Sequence, residues 1–255
     1  MATDRKAYQW KQFDSRRWGF LRVFRRQARN AIARQIEPAV NFLEENGIEQ
    51  AQYNIDAFIS EQPLTDFYSL LYRTVGGQFG EREFEALSGK ILKQDEAVWI
   101  RMVQQWLDTG MTERLSNVTD SSRRQIKEIL NKGVAGGLGT AEIARKMRQS
   151  AGGIVRATRI ARTEIISSSN IGSFMGAKAT ELNLQKEWIS TPGERTRGSK
   201  PSDVFDHLSA NGQKVAMDDL FVVSGENLLV PGDWQNGASA GNIINCRCTQ
   251  GYIPV

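Results

Sequence analysis

The chain has 255 residues, of which 40% are hydrophobic, and a formal net charge of +4. This length allows one sizeable hydrophobic core or two modest ones, and we expect two. No apolar run reaches the roughly 18 residues of a membrane span, and the basic N-terminus lacks the apolar stretch of a signal peptide. We therefore expect a soluble protein made in the cytoplasm, with both of its cysteines reduced.

The net charge conceals blocks of alternating sign. Residues 1–36 carry ten Lys and Arg against two Asp and Glu, whereas residues 37–110 carry five against thirteen. Residues 111–162 are basic again, with eleven against four, and residues 163–255 carry seven against ten. Such blocks indicate either a basic arm that folds back on the acidic block or an arm that reaches an acidic partner.

The first predicted element is an amphipathic helix from about Tyr8 to Glu37. Apolar side chains recur at every fourth residue, and arginines flank them. One interpretation is a helix that packs its apolar stripe on the protein itself. The other is a docking arm whose arginines meet an acidic protein surface or phosphates; a single-stranded nucleic acid and a membrane surface are further alternatives. The candidate partner-binding residues are Phe20, Phe24 and Ile32 on the stripe, with Arg22, Arg25, Arg26, Arg29 and Arg34.

Residues 38–110 are predicted to be helical and to contain no catalytic constellation. One helix is expected from about Asp95, with Gly110 as its stop. Two short helices follow in residues 111–150, with a glycine cluster between them. These glycines do not form a phosphate-binding loop, because no Gly-Lys-Ser/Thr ending follows them. A DNA-binding helix-turn-helix stays an open alternative for this segment.

A long helix is predicted over residues 154–182. Small residues at spacings of three and four, among them Ser168 and Gly172, allow another backbone to approach this helix closely. Arg162 and Glu164 lie about 200° apart around the helix axis, so they do not pair with each other. Each is expected to be structural and to bond to a residue brought in by the tertiary fold, with the C-terminal strand as the natural candidate.

Beyond the long helix the hydrophobic period becomes that of strands. Short strands are predicted at Lys186 to Ser190 and at Leu228 to Val230, and a last one at about Cys246 to Ile253. The predicted fold class is therefore α+β, with a mainly helical N-terminal half followed by a long central helix packed on a small β-sheet. We place the domain boundary between residues 1–110 and residues 111–255.

Cys246 and Cys248 carry the remaining chemistry. On a strand, residues two apart point to the same side, so both thiols are expected to enter one core or one site. With His207 they offer three ligands of a zinc site, and Asp203 or Asp206 is a candidate fourth. Structural zinc usually uses cysteines separated by two to four residues, so buried, reduced thiols without metal are the favoured interpretation. A Cys–His hydrolase is the other alternative, which the lack of a nucleophile turn disfavours.

Several motifs together resemble the phage Mu F-like head-morphogenesis family over residues 112–255. They are Ala-Arg-Thr-Glu at 161–164, Lys186 with Trp188, His207 with Gly212, Pro231-Gly232-Asp233, and Asn245-Cys246-Arg247-Cys248. The family motif residues, to which we assign a structural role, are Arg162, Glu164, Asn170, His207, Asn245, Cys246, Arg247 and Cys248. The chain departs from the family at Val204, where the family commonly carries an arginine three residues before the histidine. Arg195, Arg197 and Lys200 lie earlier in the same loop.

The resemblance implies a non-enzymatic minor head protein of a tailed bacteriophage, which associates with the portal vertex during procapsid assembly and influences DNA packaging or ejection. The implied partners are the portal protein, the major capsid protein or both, with DNA as a second partner and with no membrane, cofactor or small-molecule substrate. The protein would reside in the virion head after synthesis in the host bacterial cytoplasm. Two alternatives remain: an enzyme domain on the same scaffold, either a metal-dependent hydrolase or a transferase, and a DNA-binding packaging factor.

Overall fold

The computed structural model describes residues 2–91, 98–151 and 153–255. Its helices are α1 (Ala2–Asn54), α2 (Gln62–Leu71), α3 (Gly77–Ser88), α4 (Val98–Ala135), α5 (Thr140–Ala151), α6 (Ile154–Lys178) and α7 (Ala240–Ile243). A 3₁₀ turn (Ile55–Phe58) follows α1, and a π-helical turn (Tyr72–Gly76) joins α2 to α3. The strands are β1 (Leu184–Ile189), β2 (Lys214–Ala216), β3 (Phe221–Val223), β4 (Glu226–Leu228) and β5 (Thr249–Pro254). Within the described ranges, none of the helices combines the length and the apolar character that crossing a membrane requires.

The strands form a small antiparallel sheet in the order β2-β1-β5 and a separate β3–β4 hairpin. In the sheet, Lys186 of β1 lies opposite Val215 of β2 and Tyr252 of β5. In the hairpin, Phe221 lies opposite Leu228, so the strand predicted at Leu228 to Val230 lies two residues earlier in the chain. Long helices with a small antiparallel sheet confirm the predicted α+β class.

Helix α1 runs past the residue at which it was predicted to end. It continues through Pro38 to Asn54, with one break in the helical backbone at Gly47 (φ 78°, ψ 175°). The proline removes one helical hydrogen bond, but Ala39 and Val40 directly after it are fully buried. Tertiary packing therefore sustains the helix where the local signal favoured a stop.

Helix α4 likewise continues through Gly110, which corrects the predicted stop at this residue. A Cβ at Gly110 would collide with the side chains of Trp234 and Gln235, so the glycine is required for close packing and not as a cap. The two short helices predicted in residues 111–150 are accordingly the second half of α4 and the separate α5. The predicted helix start near Asp95 lies outside the described residues.

The described residues form two compact units, each assembled from separated segments. Unit 1 comprises Met1–Arg22, Leu70–Gly110 and Ala161–Val255, and unit 2 comprises Val23–Ser69 and Met111–Ile160. The proposed boundary between residues 1–110 and 111–255 stays a prediction.

Unit 1 is built around a close approach of α6 to the start of α3. A Cβ at Gly172 would overlap the backbone of Gly76, and a Cβ at Gly176 would overlap the backbone of Gly80. Because only glycine leaves room for backbone against backbone, these residues set the distance between the two helices. The expectation that small residues allow a close approach to this helix is confirmed.

Unit 2 has a polar network at its centre. The fully buried Gln35 donates to Thr119 Oγ1 (3.0 Å) and accepts from Ser122 Oγ (2.7 Å). Arg156 in turn donates to Ser122 Oγ (2.8 Å) and to the carbonyl of Val118 (3.2 Å). The network satisfies polar groups that burial would otherwise leave without partners, and it ties α1 to α4 within this unit.

Candidate functional site

Unit 1 brings the histidine and both cysteines together. Nδ1 of His207 lies 3.5 Å from Sγ of Cys246 and 3.6 Å from Sγ of Cys248. The three ligand atoms lie within 4.8 Å of one another, and all three side chains are buried. Both cysteines are free thiols, as the sequence predicts. Among the described residues, this is the cluster of His, Cys, Asp or Glu side chains whose geometry can hold a metal ion.

The cysteines reach the cluster from a segment without regular secondary structure and not from a strand, which corrects the predicted start of the last strand. β5 begins at Thr249, directly after Cys248. The two thiols still share one side, as predicted, because both sulfurs lie near Nδ1 of His207. The side chain of Arg247, between them, lines a separate cleft.

The two carboxylates considered as a fourth ligand are not members of the cluster. Asp203 accepts hydrogen bonds from the backbone nitrogens of Gly198 (2.9 Å) and Lys200 (3.1 Å). Asp206 accepts from the backbone nitrogen of Ser209 (2.9 Å). Both therefore shape the polar loop that leads to the histidine.

Asn242 determines which ring nitrogen of His207 faces the sulfurs. The Asn242 amide nitrogen donates to the carbonyl of Val223 (3.0 Å) and to Oε2 of Glu226 (3.0 Å). Its side-chain oxygen therefore faces Nε2 of His207, 2.6 Å away, and can only accept. Nε2 must carry the hydrogen, so in the neutral imidazole Nδ1 presents its lone pair to the two sulfurs.

Arg197, from the polar loop, lies beside the histidine. Its Nη1 lies 3.5 Å from Nε2 of His207 and donates to the carbonyl of Asn242 (2.9 Å), while Nη2 donates to the carbonyl of Ile244. Val204, by contrast, is 86% exposed. The polar loop therefore supplies Arg197 to the site, whereas Val204 takes no part in it.

The two thiols differ in acidity. The hydrogen bond that Cys246 donates to the sulfur of Cys248, together with burial, raises the pKa of Cys246 well above its ordinary value. Burial also opposes ionisation of Cys248, but the hydrogen bond from Cys246 and the proximity of the His207 ring outweigh it and hold the pKa of Cys248 well below its ordinary value. Cys248 is therefore the thiol of the pair that loses its proton first.

Trp188 packs against one side of the cluster. Its ring meets the His207 ring edge-on with 5.9 Å between centroids, and it meets Phe221 in the same manner at 5.3 Å. Trp188 and Phe221 share one buried core with both cysteines. The indole Nε1 is buried and makes no hydrogen bond to the described residues.

A second polar centre lies on α6 at Asn170. Its amide nitrogen donates to the carbonyls of Pro231 (2.7 Å) and Cys248 (3.2 Å). Its side-chain oxygen accepts from Arg17 Nη2 (2.6 Å) and from Thr249 Oγ1 (3.0 Å). Two donors and two acceptor positions are all occupied, so Asn170 fastens α6 to the Pro231 turn and to the C-terminal segment.

Arg17 reaches this centre from α1 and is only 4% exposed. Besides Asn170 it donates from Nε to Ser169 Oγ (2.7 Å) and from Nη1 to the carbonyl of Cys248 (3.3 Å). Burial lowers the pKa of Arg17 to about 10, with a partial offset from the Asp14 carboxylate and the two cysteines. The charge is thus held mainly by neutral hydrogen-bond acceptors.

Arg162 lies in a different setting from the one predicted. It lines a cleft with Arg17, Arg247 and Asp14, and it makes no hydrogen bond to the described residues. Burial, with a contribution from the neighbouring Arg247, lowers the pKa of Arg162. Among the described residues, the hydrogen bonds to the carbonyls of Arg247 and Cys248 come from Arg17, so the expectation that Arg162 makes a charge-assisted bond to the C-terminal segment is not met.

Glu164 is buried and paired, but with a residue far earlier in the chain. It accepts a hydrogen bond from the hydroxyl of Tyr72 (3.0 Å), which itself accepts from Trp234 Nε1 (3.1 Å). Between Arg162 and Glu164, the Thr163 hydroxyl accepts from the backbone nitrogen of Asn245 (3.3 Å). Asn245 has a φ of 60°, a left-handed conformation that asparagine tolerates.

The residues predicted to bind a partner divide into two groups. Phe24 and Ile32 are buried in the protein's own core, and Phe20 is half-buried with its ring 6.4 Å from that of Phe79. This apolar stripe therefore faces inward, which corrects the docking role given to it. The five arginines are exposed; they are Arg22, Arg25, Arg26, Arg29 and Arg34.

The sequence did not lead us to predict two residues that contribute to the site, Arg17 and Asn242. Arg17 lies four residues after Phe13 and seven before Phe24, both buried, so its position on the inward stripe was a signal that it is buried too. Asn242 left no comparable signal, because it meets His207 across 35 residues of chain.

The geometry defines an α+β domain in which one long helix is fastened to a C-terminal segment beside a buried His–Cys–Cys cluster. The family model described as Phage Mu protein F like protein matches residues 124–251, half of the chain. The chain belongs to this family, as its motifs predicted, and membership indicates a phage head-morphogenesis protein. No curated protein and no solved structure matches the chain.

Proposed function

We propose that the chain is a minor head protein that attaches to the portal vertex of a tailed bacteriophage through an arginine face on α1. The observation that carries this proposal is the placement of Arg22, Arg25, Arg26 and Arg29. They follow the i, i+3, i+4, i+7 spacing of one helix face, and all four are exposed. None of them forms an ion pair with the described residues. Four guanidinium groups on one face make a surface suited to an anionic partner.

The proposed partner is an acidic protein surface on the portal or the major capsid protein. Trp18, one turn before Arg22, is 50% exposed, and Val23 is 45% exposed. Tryptophan and arginine together are the side chains most enriched where protein interfaces gain their affinity. The exposed Trp18 thus favours a protein partner over the phosphates of a nucleic acid. Phe24 and Ile32 are buried and cannot take part in such a contact.

The proposed role is binding and assembly, without catalysis. The three groups best suited to chemistry, His207, Cys246 and Cys248, are 1%, 4% and 2% exposed. A substrate would have to displace the packed shell of the cluster to reach them. Residence in the virion head and an influence on DNA packaging or ejection are part of the same proposal and follow from attachment at the portal.

The test is incorporation into procapsids assembled before DNA enters. One variant carries Ala at Arg22, Arg25, Arg26 and Arg29. A charge-matched control carries Ala at four exposed cations outside α1, which are Lys90, Arg101, Arg124 and Lys214. We expect the first variant to be excluded from procapsids and the control to be incorporated like the wild type. Equal incorporation of both variants would refute attachment through the arginine face.

DNA is the second candidate partner, because four adjacent arginines also suit phosphates. Binding of the purified protein to non-specific duplex separates the two candidates. If DNA is the partner, the log of the affinity falls with the log of the salt concentration by a slope of about −0.9 per phosphate neutralised. The Trp18→Ala change should then leave incorporation intact, whereas a protein partner requires that it be reduced.

A further inference from the structure

We propose that His207, Cys246 and Cys248 bind one zinc ion. The inference goes beyond attachment to the head and replaces the sequence-based expectation of metal-free thiols. That expectation depended on the unusual spacing of the two cysteines. It did not include the orientation of the histidine, which only the folded chain shows.

The distances match those that a zinc ion would impose. With Zn–S bonds of about 2.3 Å and Zn–N bonds of about 2.0–2.1 Å at tetrahedral angles, a sulfur and a nitrogen ligand lie about 3.6 Å apart. Nδ1 of His207 lies 3.5 Å from Sγ of Cys246 and 3.6 Å from Sγ of Cys248. A single lone pair on Nδ1 can accept only one well-aligned S–H hydrogen bond. One cation among the three atoms accounts for both distances at once.

The tautomer is the one that a metal ligand needs. Nε2 of His207 carries the hydrogen because the Asn242 side-chain oxygen, 2.6 Å away, can only accept. The lone pair of Nδ1 consequently points to the sulfurs. A ligating histidine almost always donates its other ring hydrogen to an oxygen in this manner, which fixes the orientation of the ring.

The chemistry of the ligands selects the ion. Two thiols and one imidazole suit zinc among the common divalent ions, whereas magnesium and calcium prefer oxygen ligands that this cluster does not contain. Two buried thiolates would carry two negative charges in an apolar core, and a divalent cation neutralises them. Because the described cluster supplies three protein ligands, water or a group from a partner completes the tetrahedron.

The proposed ion would join two separate stretches of chain. His207 follows the polar loop that carries Arg197, and the cysteines precede β5. Burial of all three ligands is typical of a structural ion that holds loops in place.

The experiment uses the full chain, stripped of metal by a chelator under reducing conditions and then dialysed against zinc alone. Metal content is measured by mass spectrometry for the wild type, Cys246→Ser, Cys248→Ser and His207→Ala. The folding control is Leu228→Ala, which leaves a cavity in the same buried core but keeps all three ligand residues. We expect about one zinc per wild-type chain, the same for Leu228→Ala at lower stability, and loss of stoichiometric zinc in the three ligand variants. Failure of the wild type to take up zinc, or equal uptake by Cys248→Ser, would overturn the proposal.

Two further measurements keep the proposal testable if the ligand variants do not fold. X-ray absorption of the zinc-loaded wild type should show two sulfurs at about 2.3 Å with nitrogen or oxygen completing the shell. A shell without sulfur would place the zinc elsewhere and refute the site. Asn242→Ala should weaken zinc binding about 10–100-fold, as expected for a group that orients a ligating histidine. An unchanged affinity in a folded Asn242→Ala protein would also count against the assigned geometry.

Discussion

Arg17 Nη2 donates a hydrogen bond of 2.6 Å to Asn170 Oδ1, which joins the first helix to the central one across 153 residues of chain. The same guanidinium reaches Ser169 and the backbone of Cys248, so one side chain connects α1, α6 and the segment that carries both cysteines. The charge pattern predicted a separate arm here, but residues 1–22 of the helix belong to unit 1. The buried Arg17 stabilises this unit, whereas the exposed arginines are available to a partner.

The Arg17→Ala change is therefore expected to destabilise the protein by at least about 3 kcal/mol, because it removes the hydrogen bonds to Asn170, Ser169 and the carbonyl of Cys248. Hydrogen bonds to charged groups are each worth about 1.5–3 kcal/mol. Arg17→Lys should also destabilise the protein, since one ammonium group cannot donate in all the directions that the planar guanidinium group does. Arg16→Ala, an exposed change next to it, should stay within about 0.5 kcal/mol of the wild type. Urea unfolding measures all three, and equal midpoints for the Arg16 and Arg17 variants would contradict this role.

Periodicity was sufficient to predict most elements, because it reports which face of a helix or strand is buried. It identified α1, α6 and the short strands, and the combination of long helices with a small sheet identified the fold class. It did not identify where helices end. Gly110 reads locally as a stop, yet its role is to make room for Trp234, and that contact spans more than a hundred residues.

The candidate site was predictable in its members and not in its geometry. Spacing brought Cys246 and Cys248 to one side, and the family motifs brought His207 to them. The lone-pair direction of the histidine depends on Asn242, and the anchoring of the segment depends on Arg17. Both contacts are formed only when distant parts of the chain fold together, so no local pattern contains them.

The same substitution, glycine to alanine, should have opposite effects on stability at Gly172 of α6 and at Gly19 of α1. A Cβ at Gly172 would overlap the backbone of Gly76, which cannot move aside as a side chain can. We expect Gly172→Ala to destabilise unit 1 by about 1–3 kcal/mol. A Cβ at Gly19 meets nothing within 4 Å, so Gly19→Ala should stabilise α1 by about 0.5–1 kcal/mol. Thermal unfolding of both variants decides, and a stabilised Gly172→Ala protein would show that the helices do not pack this closely.

Arg162 and Glu164 should respond differently to removal although both belong to the family motif. Glu164→Ala leaves the buried Tyr72 hydroxyl without its acceptor, and we expect a loss of about 1–3 kcal/mol. Arg162→Ala removes a cation that has no hydrogen bond to the described residues and faces Arg247, so stability should change by less than about 0.5 kcal/mol. Chemical denaturation compares the two. A large loss for Arg162→Ala would mean that the cleft side of the helix is held by a contact the geometry does not show.

Glu83 gives the protein a pH dependence whose sign follows from burial. Desolvation raises the pKa of this carboxyl from 4.5 to about 7, although it accepts a hydrogen bond of 2.9 Å from Ser173. The folded state therefore holds a proton that the unfolded state releases at lower pH. The stability linked to this group is fully present below pH 4.5 and is lost as the pH rises through about 7. The difference corresponds to about 3 kcal/mol.

The Glu83→Gln change removes the ionising group and keeps the shape of the side chain. We expect the variant to match the wild type at pH 5 and to exceed its stability at pH 8, because only the wild type must bury a carboxylate there. Glu85→Gln, the same substitution at a half-buried position on the same helix, is the control and should keep the wild-type profile. Urea midpoints at the two pH values measure the effect. If the difference between the urea midpoints of Glu83→Gln and the wild type is the same at pH 5 and pH 8, the buried carboxyl does not titrate in this range. Contacts other than that with Ser173 would then stabilise its charge.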